Sequence, residues 1–125
     1  MADRNFDYVQ TLGKGRKVIA GSFLPNGASA ITADPLWNGF TVARTGVGQY
    51  TITLTDAYVA ILSAQCSLGL NAVADLKMQW GAIDVVSAKT LVLSALAVAT
   101  PTEIAANANN RVHFELWLRN TTVTP

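Results

Sequence analysis

With 125 residues, half of them hydrophobic and only 14% charged, the chain is long enough for one domain that buries a sizeable core. Its net charge of +1 sets up no field to draw nucleic acid or an anionic membrane, and its single cysteine, Cys66, excludes an internal disulfide. A surface this weakly charged disperses poorly, which predicts burial against copies of the chain or another protein.

The N-terminal MADRNFDYVQ has no apolar signal core, so synthesis in a cytoplasm is the expectation. Residues 1–16 read as an arm and 17–123 as the body of a single β domain spanning 1–125. LGKGRK, residues 12–17, lacks the glycine spacing and the Lys-Ser/Thr ending of a phosphate loop and reads as a turn. Lys14, Arg16 and Lys17 form the only basic cluster, which makes Arg16 and Lys17 candidate contacts for an acidic partner. KVIAGSFL (17–24) reads as a strand closed by a turn at Pro25-Asn26-Gly27, and ASAITAD (28–34) as a short strand ending at Asp34-Pro35. Trp37, beside Asn38, is a candidate contact residue.

The most strongly patterned segment is GFTVARTGVGQYTITLTDAY, residues 39–58. Phe40 and Val42 alternate with Thr41 and Ala43, and Tyr50, Ile52 and Leu54 alternate with Thr51, Thr53 and Thr55. Period-two alternation around two glycines is a β-hairpin with one apolar face and one threonine-rich, uncharged face. TDAYVAIL (55–62) predicts one helical turn capped by Thr55 or Asp56. Gln65 to Leu70 returns to strand alternation, in which Cys66 stands with Ala64 and Leu68 as a small buried apolar residue. The uncharged run from Ala57 to Ala74 carries Ser63, Gln65, Ser67, Gly69 and Asn71, a composition too costly for a membrane span.

DLKMQWGAIDVV (75–86) alternates Leu76, Met78, Trp80 and Ala82 against Lys77 and Gln79, which puts Trp80 in the core. KTLVLSALAV (89–98) is a near-continuous apolar run, as in a strand buried on both faces or packed in an interface. Thr100-Pro101-Thr102-Glu103 has the form of a capping box with proline at the first helical position, predicting a short helix or compact loop. In RVHFELWLRN (111–120), Val112, Phe114, Leu116 and Leu118 face one way; Arg111, His113, Glu115, Trp117 and Arg119 face the other. A tryptophan on the charged face of a strand is a candidate contact, so Trp117 and Arg119 join the candidate interface, with a second core layer as the competing reading for Trp117.

Short strands at regular spacing, with turn signals and no long helix, predict an all-β fold: an antiparallel β-sandwich, jelly-roll-like, with one or two short helical turns. No catalytic, metal-binding or cofactor-binding constellation emerges. The one histidine, His113, lacks partner ligands or a triad; the eight carboxylates are scattered, without acid/base pairing or a calcium-loop pattern. The sequon at Asn120-Thr121-Thr122 is read as accidental.

Taken in order, GSFLPNGA, GFTVARTGVGQYTITLTDAY, DVVSAKTLVL and NNRVHFELWLRN resemble the small β-rich virion proteins of tailed bacteriophages, over most of residues 17–123. The F-x-V-x-R-x-G-x-G-x-Y-x-I-x-L core is also similar to tumour-necrosis-factor-like jelly rolls and phage fibre heads. The resemblance implies a non-enzymatic capsid decoration or cement protein on the virion surface, made in a host bacterial cytoplasm. Its partners would be two further copies, as a homotrimer, and the major capsid protein; no cofactor, nucleic acid, membrane or small-molecule substrate is implied. A fibre-head or tail-tip module recognising a host glycan is the alternative. The chain lacks the repetitive shaft of a fibre protein, which favours decoration.

Overall fold

The computed structural model describes residues 15–120. Alternating apolar residues form β1 (Arg16–Phe23), β2 (Phe40–Gly46), β3 (Gln49–Leu54), β4 (Ala60–Gly69), β5 (Lys77–Asp84), β6 (Thr90–Ala97), β7 (Thr100–Pro101) and β8 (Arg111–Arg119). Every pairing is antiparallel, and no helix occurs among the described residues. One sheet has the order β1-β8-β4; the other has the order β2-β3-β6-β5, with β7 on β6.

The two sheets share one apolar core. Val112, Phe114, Leu116 and Leu118 of β8 are buried, as the alternation predicts, and so are Tyr50, Ile52 and Leu54 of β3 and Leu91, Leu93 and Ala95 of β6. Ring contacts join the sheets: Phe23 lies 5.1 Å from Tyr50, and Phe40 meets Phe114 edge-on at 4.9 Å. Gly21 makes this approach feasible. A Cβ there would overlap the Phe40 ring, 2.7 Å from Cε1, and stand 3.2 Å from Cζ of Phe114.

The expected hairpin is β2–β3, but its two glycines do different work. Gly48 takes a positive φ of 59°, while Gly46 borders a register shift on β2. The apolar run 89–98 keeps alternation after all: Leu91, Leu93 and Ala95 are buried, while Thr90, Val92 and Ser94 are half-buried on the opposite face. Trp80 is half-buried against the core rather than enclosed by it. The expected arm, 1–16, lies largely outside the described residues, and Arg16 already begins β1.

Three local readings are corrected by the structure. ASAITAD forms no strand: it pairs with no other strand, and its start is taken up in a turn in which Ser29 N–H donates to Asn26 O (3.0 Å) and Asn26 Nδ2 donates to Ala30 O (3.0 Å). TDAYVAIL forms no helical turn, because its amides are used elsewhere. Thr55 N–H donates to Gly39 O (2.9 Å), Tyr58 N–H to Val85 O (2.8 Å) and Val59 N–H to Arg119 O (2.9 Å). Single helical turns are marginal in isolation and yield to such bonds. The capping box at 100–103 does not form either. Thr100 and Pro101 pair with Ala97 and Leu96 of β6, and the Glu103 carboxylate is taken by β2 and the hairpin turn.

That carboxylate ties three segments together. It accepts from Arg44 Nε (3.0 Å), forms a close ion pair with the same guanidinium, and accepts from Gly48 N–H (2.6 Å). These bonds, the Arg44 bonds foremost, hold its pKa below the usual carboxylate value. Asp84 is lowered too, chiefly by the amides of Ser87 and Ala88 in the β5–β6 turn. A depressed carboxylate contributes stability that is present above its unfolded pKa, about 4. That contribution is lost as pH falls through the lower folded value. Stability should therefore drop in acid below about pH 4, and Glu103→Gln should make that drop shallower. Urea midpoints measured from pH 6 downward test this; a parallel acid limb in the variant would remove the ionised carboxylate from the account.

Candidate functional site

Each sheet has an outward face, and the register specifies what stands on it. On β1-β8-β4 the rows are Ser22–His113–Ser67, Ala20–Glu115–Gln65, Val18–Trp117–Ser63 and Arg16–Arg119–Ala60. The central strand carries large side chains, and beside His113 and Glu115 most flanking ones are small: Ala20, Ser22 and Ser67. Over these small neighbours the surface dips into an open trough of about 500 Å³, lined by His113, Glu115, Ala20, Ser22, Gln65 and Ser67. Trp117 is half-buried beside it, and its indole N–H donates to Glu115 Oε1 at 2.7 Å, which orients both side chains.

The candidate interface residues divide between settings. Trp117, Arg119 and Arg16 share this outward face at one end of the sheet, Arg16 directly opposite Arg119. Lys17 does not join them: strand alternation turns it to the other side, where its Nζ sits 5.9 Å over the Tyr58 ring. Trp37 closes the core margin. Its ring is tilted against Phe40 at 5.8 Å and its indole N–H donates to Ser22 O at 2.8 Å. The neighbouring Asn38 is exposed.

Sequence reasoning missed Arg111. Its Nη1 donates to Ser22 Oγ (2.8 Å) and lies 3.8 Å from Asp34, pinning the β1–β2 loop to β8. Partners this remote in the chain leave no local signal. Cys66 is half-buried on the inward row with Phe114 and Gly21, and burial pushes its thiol pKa up. Among the described residues no group of three or more His, Cys, Asp or Glu could hold a metal ion, and no helix is long and apolar enough to cross a membrane.

The outward face of β2-β3-β6-β5 is different in kind. Its rows are Thr41–Thr53–Thr90–Asp84, Ala43–Thr51–Val92 and Gln49–Ser94–Gln79. Thr45 and Thr51 share a hydroxyl–hydroxyl hydrogen bond at 3.0 Å. Charge enters only on β5, with Asp84 near one corner and Lys77 near another. Comparison with protein-family models, curated proteins and solved structures finds no match. The chemistry therefore has to be read from the two faces themselves. One is broad, neutral and rich in hydroxyls; the other offers an aromatic, three arginines (Arg16, Arg111 and Arg119) and a shallow polar trough.

Proposed function

We propose that the chain is a capsid decoration (cement) protein of a tailed bacteriophage, a jelly-roll-like sandwich that assembles as a homotrimer and stabilises the shell by protein–protein contact. The neutral threonine face carries this reading. Such a face pairs across an interface through hydroxyls and methyl groups without desolvating a charge, the step that makes buried ion pairs costly. Resemblance of the hairpin and closing-strand motifs to phage virion proteins supplies the setting, and the low overall charge the need for contact. The direct test is co-sedimentation with emptied heads of the encoding phage, followed by heating. Bound protein should raise the temperature at which heads rupture; protein left in the supernatant would end the proposal.

The subunit contact is assigned to the outward face at Trp117, Arg119 and Arg16. Trp117→Ala should then lower the assembled mass in light scattering while leaving the protomer's unfolding nearly unchanged. An intact trimer with a lowered melting temperature would make the ring a core element instead.

The second reading is a fibre-head or tail-tip module that binds a host glycan. The trough favours it, since His113, Glu115 and Gln65 stand beside a tryptophan ring. A sugar-array screen separates the two: saturable binding that Glu115→Ala abolishes would favour the glycan role.

A further inference from the structure

The four sheet-edge strands are not equally protected. β1 carries Arg16 and Lys17 and runs into Pro25. β2 carries Arg44 and a register shift between Arg44 and Gly46. β5 carries Lys77 and Asp84 and a shift between Trp80 and Ile83. Charges and bulges of this kind are what keep a free edge from pairing with another chain. β4, AILSAQCSLG, is the longest strand, and it has neither charge nor proline; it lies inside the uncharged run from Ala57 to Ala74. Its one irregularity is a shift between Ile61 and Ser63, which leaves Ser63–Gly69 regular. Among the described residues it pairs with β8 alone, so its other rim presents unpaired backbone donors and acceptors. Leu62, 48% exposed, and Val59, 38% exposed, add apolar surface beside it.

We infer that β4 is a strand-addition edge, and that its occupant is β4 of a second copy, antiparallel across a two-fold axis. Unpaired strand groups are best satisfied by another extended backbone. The side chains then choose which one. A two-fold antiparallel pair places like residues about its centre, and a charged edge would repel itself there. β4 has no charge to repel. The longest register that avoids the irregularity is centred on Cys66 and uses all of Ser63–Gly69. It sets Cys66 opposite Cys66 and Ala64 opposite Leu68 on the core side. On the outer side it sets Gln65 opposite Ser67 twice, two neutral hydrogen-bonding pairs. Joining the copies makes one continuous six-stranded sheet, β1-β8-β4 followed by β4-β8-β1. This contact uses the rim of the sheet rather than the face that carries Trp117, and it does not depend on the proposed function.

The test uses the full chain with Gln65→Lys and Ser67→Lys together. Both positions are exposed, so the fold should hold, as circular dichroism can verify. In the two-fold register each new ammonium stands opposite another. In a Trp117→Ala background, sedimentation velocity should give twice the protomer mass without the lysines and the protomer mass with them. Mild copper-catalysed oxidation should link the chain without the lysines into a covalent dimer through Cys66; the lysine pair and Cys66→Ser should each abolish that dimer. If the lysine pair leaves the mass unchanged, the edge is not the contact. If no Cys66-linked dimer forms, the rim is occupied in another register or by another segment of the chain, and the two-fold pairing is overturned.

Discussion

Phe114→Ala should lower the unfolding free energy by about 3–5 kcal/mol, the cost of truncating a large ring in a close-packed core. Phe114 is 3% exposed at the middle of β8, the central strand of its sheet. Its ring meets Phe40 from the other sheet, over Gly21, so nothing small and mobile stands ready to fill the gap. The cost would fall at the low end only if Phe40 tilted into the space. Such a tilt would loosen Trp37, which leans on Phe40 and holds the Ser22 carbonyl. Urea unfolding followed by tryptophan fluorescence measures the effect. A loss under about 0.5 kcal/mol, the ordinary range for surface positions, would mean that the faces of β8 are reversed.

Gly48→Ala should be nearly as damaging, at about 2–4 kcal/mol, from backbone strain and overpacking together. Gly48 has φ +59°, and a Cβ there would overlap the Thr102 carbonyl, within 2.8 Å of the Thr102 carbon and nitrogen. These are backbone atoms, which cannot rotate away as a side chain would. Moving them would pull on the bonds from Gly48 N–H to Glu103 and from Thr102 N–H to Ala95 O. Gly27 isolates the strain from the collision: it has the same φ, +59°, but nothing within 4 Å of its Cβ position. Gly27→Ala should therefore cost only about 1 kcal/mol, the left-handed penalty by itself. Equal midpoint shifts for the two variants would show that the approach to Thr102 is not tight.

The same positions show what was legible in the sequence. Alternation in RVHFELWLRN placed Val112, Phe114, Leu116 and Leu118 inside, and alternation on either side of Gly46 and Gly48 gave the hairpin and its threonine face. These patterns are local, because a strand's two faces follow from successive side chains pointing opposite ways. Trp117 was legible as an outward residue by the same rule. Trp37 lies in a loop with no period to read, and only the fold shows its indole bonded to Ser22.

The sequence by itself thus determined the all-β, antiparallel character, the principal strands and the chemistry of their faces; it also read a strand at ASAITAD that does not form and missed β7. Tertiary structure alone decided which strands are neighbours and which edges remain open. It also decided that Thr55–Leu62 and Thr100–Glu103 would not be helical: the amides of Thr55, Tyr58 and Val59 reach Gly39, Val85 and Arg119, and the Glu103 carboxylate reaches Arg44 and Gly48. The physical reason is common to all of these. A turn or cap gains about 1 kcal/mol from its own residues, and several hydrogen bonds and an ion pair supplied by distant segments outweigh it. No window of neighbouring residues contains those partners.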